Sequence, residues 1–352
     1  MPTADVPTAD AARPEEPNCS PPSPGAAASR SRSGPDIVFG PVPSRRLGRS
    51  LGINNIPPKA CSYSCVYCQA GRTDRLSAKR RSFFPPEAVI AAVEARLKGC
   101  RHAGEQVDYA SFVPDGEPTL DVSLGDEIRG VKALQVRVAV ITNGSLLWRD
   151  DVRADLAAAD WVSVKVDAVE MEAWRRINRP AHSLDLGRVL DGVSLFAANR
   201  TAILVSETML VAGVNDDDRS LRATASFLSA LRPATAYISA PIRPPAESDV
   251  RVPPAATLDR ARRIFSDAGL RVGLLVEHEA GAFAAGEDAA SGLLAIIAVH
   301  PMREAAVREY LARANTDWSV VDRLVSTGQA VVLEHRGQLF YALPARHGAR
   351  SR

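Results

Sequence analysis

The sequence lacks the features of a membrane or secreted protein. It has no uninterrupted apolar run of the roughly 18 to 20 residues that span a bilayer, and no charged-then-apolar secretory signal at its N-terminus. It also has little net charge, since 43 Lys and Arg residues against 41 Asp and Glu residues give +2. No global basic field therefore argues for nucleic acid, and no acidic excess argues against it. We expect a cytoplasmic protein that does not bind membranes.

Cysteine is scarce as well. Only five cysteines occur, and three of them fall within eight residues, which does not resemble a disulfide framework. A reducing compartment suits such a cluster if its thiolates bind metal. The other two cysteines, Cys19 and Cys100, lie apart from the cluster.

The length and composition suit one large α/β domain and a small second one, because 352 residues at 46% hydrophobic can bury a sizeable core. The N-terminal residues 1–35 are rich in Pro, Ala and Ser and have too few large apolar side chains to fold. We predict a disordered tail at 1–35, a core domain at 36–285 and a C-terminal domain at 290–345.

From Ile37 onward, short β-rich runs alternate with amphipathic helical segments, a pattern that favours a parallel sheet. The predicted strands are 109–113, 136–142, 161–166, 203–211, 236–242 and 272–276. Helices are predicted over 85–97, ending at Gly99, and over 257–268, ending at Gly269. About six β/α units predict an α/β fold, an open, partial (β/α)6 barrel resembling a TIM barrel, with its sites at the C-terminal strand ends.

The pattern changes after a Gly/Ala-rich joint at 280–292. A helix is predicted to open at His300, and a second helix to be capped by Thr316 or Asp317. A hairpin is predicted around the turn at 336–337. The order helix, helix, hairpin predicts a small α+β domain that resembles a winged helix.

The stretch "KACSYSCVYCQAG" places Cys61, Cys65 and Cys68 at a C-x3-C-x2-C spacing. Three thiolates can bind a zinc ion that needs a fourth ligand, or three irons of a [4Fe–4S] cluster whose fourth iron stays open. The fourth zinc ligand would be Cys100 or His102, but structural zinc sites usually pair their ligands as two close couples. We expect Cys100 to be a small, partly buried hydrophobic residue and His102 to lie on the surface.

This loop, with Tyr67 before the last cysteine, resembles the cluster loop of the radical S-adenosylmethionine (radical SAM) superfamily. The resemblance implies a [4Fe–4S] cluster on the three cysteines, with the amine and carboxylate of SAM on the fourth iron. It implies that an electron cleaves SAM to methionine and a 5′-deoxyadenosyl radical, which abstracts a hydrogen atom from a substrate. A reduced flavodoxin or ferredoxin would supply the electron, and Tyr67 would pack near the cluster or the adenine.

Two downstream motifs add to the resemblance. "DGEPTL" resembles the glycine/glutamate motif of the superfamily, which implies that Gly116 and Glu117 meet the SAM amine. Asp115 stands where many members have glycine, which leaves the tightness of that turn in question. "ITNGS" places Asn143 at a strand end as a further candidate for cofactor binding, and an ordinary Asn-Gly turn is the alternative.

The segment "WVSVKVDA" alternates apolar and polar residues with period two. The alternation places its valines on one face and Lys165 and Asp167 on the other, so the polar face points into the barrel. Buried charges must be paired or bind something, and we predict that Lys165 and Asp167 hold the SAM carboxylate or ribose. Glu207 is a further candidate buried acid, with a structural salt bridge as the alternative.

The resemblance runs from about Phe39 to Leu343. The segments "RINRP", "ETMLVAGVND", "RPP" and "VHPMREAAVREYL" are similar to prokaryotic radical SAM proteins called iron–sulfur oxidoreductases, which are related to the tRNA wyosine-base synthases. The substrate stays unidentified, and this kinship makes tRNA a candidate, with a protein as another. A basic segment after the cysteines either contacts RNA phosphates or is a solvated loop; its cations are Arg72, Arg75, Lys79, Arg80 and Arg81.

Two alternatives remain at this point. A glycyl-radical enzyme activase uses a similar small barrel with "TNG"-like and Lys/Asp features, and a large glycyl-radical partner would distinguish it. A metal-sensing, nucleic-acid-binding regulator would account for the three thiols and the winged-helix-like end. It would bind DNA tightly without turning over SAM.

Overall fold

The structure, a computed structural model, describes residues 37–276 and 288–344. The predicted tail at 1–35, Cys19 and residues 280–287 of the predicted joint lie outside these ranges. Within the described ranges, no helix is both long enough and apolar enough to cross a membrane.

One curled sheet of eight strands forms the centre of the fold. Its strands, in spatial order, are β1 (Val38–Ser44), β2 (Gly48–Ile53), β5 (Tyr109–Phe112), β6 (Arg137–Thr142), β7 (Trp161–Lys165), β8 (Ile203–Met209), β9 (Ala236–Ser239) and β10 (Val272–Leu275). Strand β1 is antiparallel to β2, and the remaining seven strands run parallel. All six predicted strands are present, and the α/β half-barrel is confirmed. The seventh parallel strand is β2, whose sequence GRSLGI contains two glycines and gives little strand signal.

The helices that cover the outer face of the sheet are α1 (Pro86–His102), α2 (Leu124–Ala133), α3 (Asp150–Ala157), α5 (Leu186–Asn199), α6 (Asp218–Leu231) and α7 (Ala255–Asp267). Helix α4 (Met171–Asn178) packs instead against the segment that carries the three clustered cysteines. Two short strands, β3 (Ala60–Cys61) and β4 (Arg75–Leu76), pair beside the sheet. The prediction that α1 ends at Gly99 is wrong. The residue with left-handed backbone after this helix is Gly104, at φ +67°, so the chain stays helical through Gly99.

The two faces of the sheet differ as the alternation in β7 predicts. Val162, Val164 and Val166 belong to the large core cluster between the sheet and the helices. Lys165 points into the curl, where it lies opposite Glu207 of β8. The polar residues at the strand ends are therefore directed toward the concave face.

The C-terminal elements are α8 (Ala289–Val299), β11 (Met302–Arg303), α9 (Glu304–Arg313), α10 (Ser319–Ser326), β12 (Val331–His335) and β13 (Gln338–Ala342). The three strands form an antiparallel sheet in the order β11, β13, β12. The predicted hairpin is present, and the order helix, strand, helix, helix, hairpin is that of a winged helix. The helix predicted from His300 begins at Glu304, because Met302–Arg303 pair with β13. Residues 289–292 of the predicted joint begin α8 instead.

Candidate active site

The three clustered cysteines lie in the loop that follows β2, at the C-terminal edge of the parallel sheet. Cys61 ends β3, and the N–H of Cys68 donates to the carbonyl of Cys65 with an N–O distance of 3.1 Å. Burial raises the pKa of all three thiols, that of Cys65 to about 12. Bound metal cations offset this cost by stabilising the thiolates.

This donor set fits an iron–sulfur cluster. Soft thiolates are the ligands of Fe–S clusters and of zinc. In the part of the chain that the structure describes, no group of three or more His, Cys, Asp or Glu side chains is arranged around one metal-ion position. A [4Fe–4S] cluster does not require such an arrangement, because each thiolate binds a different iron.

The end of α4 holds the cysteine loop in place. The backbone N–H of Ser64 donates to the carbonyl of Asn178 at 3.0 Å, and that of Val66 donates to the carbonyl of Ile177 at 2.9 Å. The next residue, Arg179, turns the chain away with left-handed backbone at φ 44°. The segment "RINRP" therefore fixes the conformation of the loop between its cysteines.

Gly116 brings the glycine/glutamate motif against the cysteine loop. A Cβ atom at Gly116 would lie 2.1 Å from the carbonyl oxygen of Ala60, so only glycine permits this approach. The N–H of Glu117 donates to the same oxygen at 3.0 Å. Asp115 does not loosen the turn, because its carboxylate lies 3.2 Å from the ammonium nitrogen of Lys59 and its carbonyl accepts the Lys59 N–H.

The Glu117 carboxylate links this motif to "ITNGS". Its Oε1 accepts hydrogen bonds from the hydroxyls of Thr119 at 2.6 Å and Thr142 at 2.7 Å, and its Oε2 accepts the N–H of Asn143 at 2.7 Å. Burial raises the pKa of Glu117, and these hydrogen bonds oppose the rise. The carboxylate is buried and held in one orientation.

Asn143 connects that carboxylate to the cysteine loop. Its amide Nδ2 donates to the Ser62 hydroxyl at 2.8 Å and lies 3.7 Å from Cys61 Sγ. Asn143 and Gly144 also form the Asn-Gly turn that was the alternative, since Gly144 has left-handed backbone at φ 74°. The structure thus brings the cysteine loop and the two downstream motifs together.

Lys165 and Glu207 form an ion pair inside the curl, with 3.1 Å between Nζ and Oε1. Arg46, from the turn between β1 and β2, makes a second ion pair with Glu207. Burial acts to raise the pKa of Glu207, but the charges of Lys165 and Arg46 hold it below its ordinary value. Glu207 therefore takes part in a structural salt bridge, which is the alternative that its sequence context left open. The Lys165 ammonium also lies 4.9 Å from the centre of the Tyr67 ring.

Asp167 is occupied by protein donors. Its Oδ2 accepts hydrogen bonds from the Tyr67 hydroxyl and, at 2.7 Å, from Asn178 Nδ2. Its Oδ1 accepts the Met209 N–H at 2.8 Å. The structure thus gives Tyr67 and Asp167 internal partners, and their contact with SAM stays a prediction.

The alternative fourth ligands of a zinc site lie elsewhere. Cys100 and His102 are in the last turn of α1, next to the start of β5 and at the opposite edge of the sheet from the cysteine loop. Cys100 is buried, which raises the pKa of its thiol, and the charged neighbours that act on the thiol include Arg96 and Glu105 but none of the three clustered cysteines. His102 is exposed, as predicted.

The predicted basic segment is partly structural. Arg72 makes an ion pair with Glu247 at 2.6 Å, and the Arg80 side chain is buried between Asp151 and Asp155. Arg81 packs over the Phe83 ring, and Arg75 and Lys79 are exposed. Of the five cations, Arg75, Lys79 and Arg81 are thus exposed and have no carboxylate partner in these contacts.

A cavity of about 990 Å³ lies between the cysteine loop and the C-terminal elements, a size typical of ligand sites. Its polar wall includes Lys59, Asp115 and Glu247, and its apolar wall includes Leu294 and Leu333. Among the described residues that line it, none is aromatic.

Sequence reasoning gave no role to Arg243 of "RPP" or to Glu247. Arg243 is buried and donates to the side-chain oxygen of Gln69, the residue after Cys68, at 3.1 Å. The Glu247 N–H donates to the carbonyl of Val66 at 3.0 Å. The RPP segment of Arg243 was visible in the sequence, but these contacts join residues more than 170 positions apart.

Comparison with known proteins identifies the family of this chain. The family model described as the Radical SAM superfamily matches residues 55–224, which include the cysteine loop and both downstream motifs. A UPF0026 protein of Methanocaldococcus jannaschii is 42% identical over 307 residues, covering 87% of this chain and 95% of that protein. The chain is a radical SAM enzyme of the UPF0026 family. Its cofactors are accordingly a [4Fe–4S] cluster and SAM, as the cysteine loop predicts.

Solved structures similar to this radical SAM enzyme are more distant in sequence. A radical SAM methyltransferase from Sphaerobacter thermophilus is 16% identical, with a TM-score of 0.48, covering 65% of this chain and 66% of that one. A structure of TYW1 with a bound lysine–pyruvate adduct is 15% identical, with a TM-score of 0.48, covering 62% of this chain and 73% of that one.

Proposed function

We propose that Cys61, Cys65 and Cys68 bind three irons of the cluster and that SAM binds the fourth iron. We also propose that the enzyme modifies tRNA. The observation that supports the site is the continuous hydrogen-bond path from the cysteine loop through Asn143 to Glu117. When bound, the cluster supplies the electron that cleaves SAM, and the 5′-deoxyadenosyl radical abstracts hydrogen from the substrate. We place the enzyme in the cytoplasm, where reducing conditions preserve its thiols.

The protein's part in this reaction is to hold SAM. Glu117 Oε2 accepts one hydrogen bond, from Asn143, and a carboxylate oxygen can accept a second from the SAM amine. Gly116 lets the backbone approach the cluster loop closely enough for that contact. Lys165 uses one of its three N–H donors on Glu207 and, in this proposal, directs another to the SAM carboxylate.

The choice of tRNA is supported by the surface beside the cysteine loop. Arg75, Lys79 and Arg81 are exposed there and are suited to phosphate contacts. The element order of the C-terminal part, which resembles a winged helix, adds a second surface of a kind that binds nucleic acid. We propose that residues 290–345 form this unit and that it covers one side of the substrate cavity.

The test begins with anaerobic reconstitution with iron and sulfide. The enzyme is then given SAM and either dithionite or reduced flavodoxin, and 5′-deoxyadenosine is measured with and without tRNA from cells that lack the gene. We expect tRNA to increase its formation, because binding energy from the substrate promotes the reaction.

The matched variant replaces Arg75, Lys79 and Arg81 with Gln. It should keep basal SAM cleavage, but tRNA should no longer increase the formation of 5′-deoxyadenosine. Basal cleavage that tRNA does not change would contradict the tRNA assignment. A stable glycyl radical formed on a large partner protein would instead identify an activase.

A further inference from the structure

The amide of Asn178 lies between a cysteine sulfur and a buried carboxylate. Its Nδ2 is 3.5 Å from Cys65 Sγ and 2.7 Å from Asp167 Oδ2. An amide group carries two N–H donors, so one can serve each acceptor. Both contacts are possible at the same time.

The carboxylate fixes which way this amide points. An ionised carboxylate only accepts hydrogen bonds, so the atom that lies 2.7 Å from Asp167 must be the donor nitrogen of Asn178. Turning the amide over would set two acceptor oxygens against each other. The N–H groups are therefore directed toward Asp167 and Cys65.

Asn178 is held rigidly in this position. Its side chain is buried, and its backbone carbonyl accepts the N–H of Ser64 from the cysteine loop itself. Asp167 is fixed in turn by the Met209 N–H and the Tyr67 hydroxyl. The amide and the Cys65 sulfur thus belong to one supported unit.

The other two sulfurs accept main-chain hydrogen bonds. Cys61 Sγ accepts the backbone N–H of Tyr63 at 3.5 Å and also lies 3.7 Å from Asn143 Nδ2, and Cys68 accepts the backbone N–H of Ala70. Main-chain donors of this kind follow from the loop conformation and are available to any residue type. The amide of Asn178 lies closer to its sulfur, at 3.5 Å, and comes from a helix 113 positions away from Cys65.

We propose that Asn178 is a positioning residue whose N–H···S hydrogen bond to Cys65 raises the reduction potential of the cluster. The inference rests on the proposed function, in which Cys65 is a cluster ligand. Hydrogen bonds to cluster sulfurs are one of the factors that set the potential. The reduced cluster carries more negative charge on its sulfurs, so a donor stabilises it more than the oxidised form, and burial strengthens the effect.

The test compares wild-type enzyme with Asn178→Leu, which keeps the branched shape of the side chain and removes the donor. Each protein is reconstituted, its iron and sulfide are counted, and the midpoint potential is measured by redox titration with electron paramagnetic resonance. We expect a full cluster with a more negative midpoint. Cleavage of SAM should then be slowed with reduced flavodoxin and restored with a stronger reductant such as Ti(III) citrate.

The control is Asn215→Leu. Asn215 is also buried and donates to the backbone carbonyls of Asp167 and Met209, but no sulfur is among its partners. Its midpoint should match wild type. If Asn178→Leu loads less cluster, Asn178→Ser takes its place in the titration, because serine is smaller and does not reach the sulfur.

The inference is overturned if a fully loaded Asn178 variant has the same midpoint potential as the wild-type enzyme. An equal shift in Asn215→Leu also overturns it, because loss of a buried amide would then suffice. Absence of a cluster from the wild-type enzyme would instead refute the proposed function, so the two failures are distinguishable.

Discussion

The Glu117 carboxylate and the Asn143 backbone are joined by a hydrogen bond of 2.7 Å. This bond connects two motifs that follow neighbouring parallel strands, and the Asn143 amide continues the connection to the cysteine loop. The acid that we assign to the SAM amine is thus oriented by the same segment that contacts the cluster loop.

Changing Glu117 to Gln should weaken SAM binding while the cluster still forms. A hydrogen bond to a charged group contributes about 1.5 to 3 kcal/mol, so we expect the Kd for SAM to rise about 10- to 100-fold. Equilibrium dialysis with the reconstituted enzyme measures it. The same substitution at Glu94, a half-exposed acid of α1, is the control and should leave the Kd unchanged. Equal affinity of Glu117→Gln and wild type would remove Glu117 from the SAM site.

Changing Gly116 to Ala should separate the glycine/glutamate motif from the cysteine loop. The added Cβ would lie 2.1 Å from the Ala60 carbonyl oxygen, and the backbone must shift to avoid it. We expect a loss of about 1 to 3 kcal/mol in the free energy of unfolding and a lower iron content.

The matched control is Gly99→Ala in α1. A Cβ at this position meets no atom within 4 Å, and the backbone is helical, so the change should stabilise by about 0.5 to 1 kcal/mol. Urea unfolding and iron analysis test both variants. A Gly116→Ala protein with wild-type stability and iron would show that the close approach is not required.

The buried carboxyl of Glu127 should lower the free energy of unfolding as the pH rises. Burial and, after it, the charge of nearby Asp121 together raise the pKa of this carboxyl to about 8. An unfolded glutamate has a pKa of about 4.3. Because the folded form holds its proton more tightly, the stabilising contribution is complete below about pH 4.3 and is lost as the pH rises toward about 8.

The variant Glu127→Gln removes this titration. It should unfold at higher urea concentration than wild type at pH 8 and at nearly the same concentration at pH 4. The control is Glu309→Gln, since Glu309 is an exposed acid that is not among the charges acting on Glu127. Parallel pH profiles for Glu127→Gln and wild type would contradict the assignment.

The features that sequence predicts here are local ones. The period-two pattern of β7 identified its inward and outward faces, and the spacing of the three cysteines led to the proposal that their loop binds the cluster. Parallel strands carry their loops to one edge of the sheet, so placing Glu117 and Asn143 near the cysteines needed only the strand order.

The features that sequence did not predict depend on distant residues or on weak local signals. The bond between Tyr67 and Asp167 joins residues 100 positions apart, and neither residue type alone indicates the other as its partner. Strand β2 was missed because Gly48 and Gly52 dilute its pattern. Helix α8 was not predicted, because its small first residues, from Ala289 to Gly292, were interpreted as part of a Gly/Ala-rich joint.

The central claim is that three particular cysteines form the cluster that cleaves SAM. It is tested most directly by measuring bound iron and 5′-deoxyadenosine for reconstituted Cys61→Ala, Cys65→Ala, Cys68→Ala and Cys100→Ala. We predict that each of the first three variants loses the intact cluster and all SAM cleavage, while Cys100→Ala keeps both. Wild-type cleavage in any of the first three variants, or its loss in Cys100→Ala with the fold intact, would contradict the account.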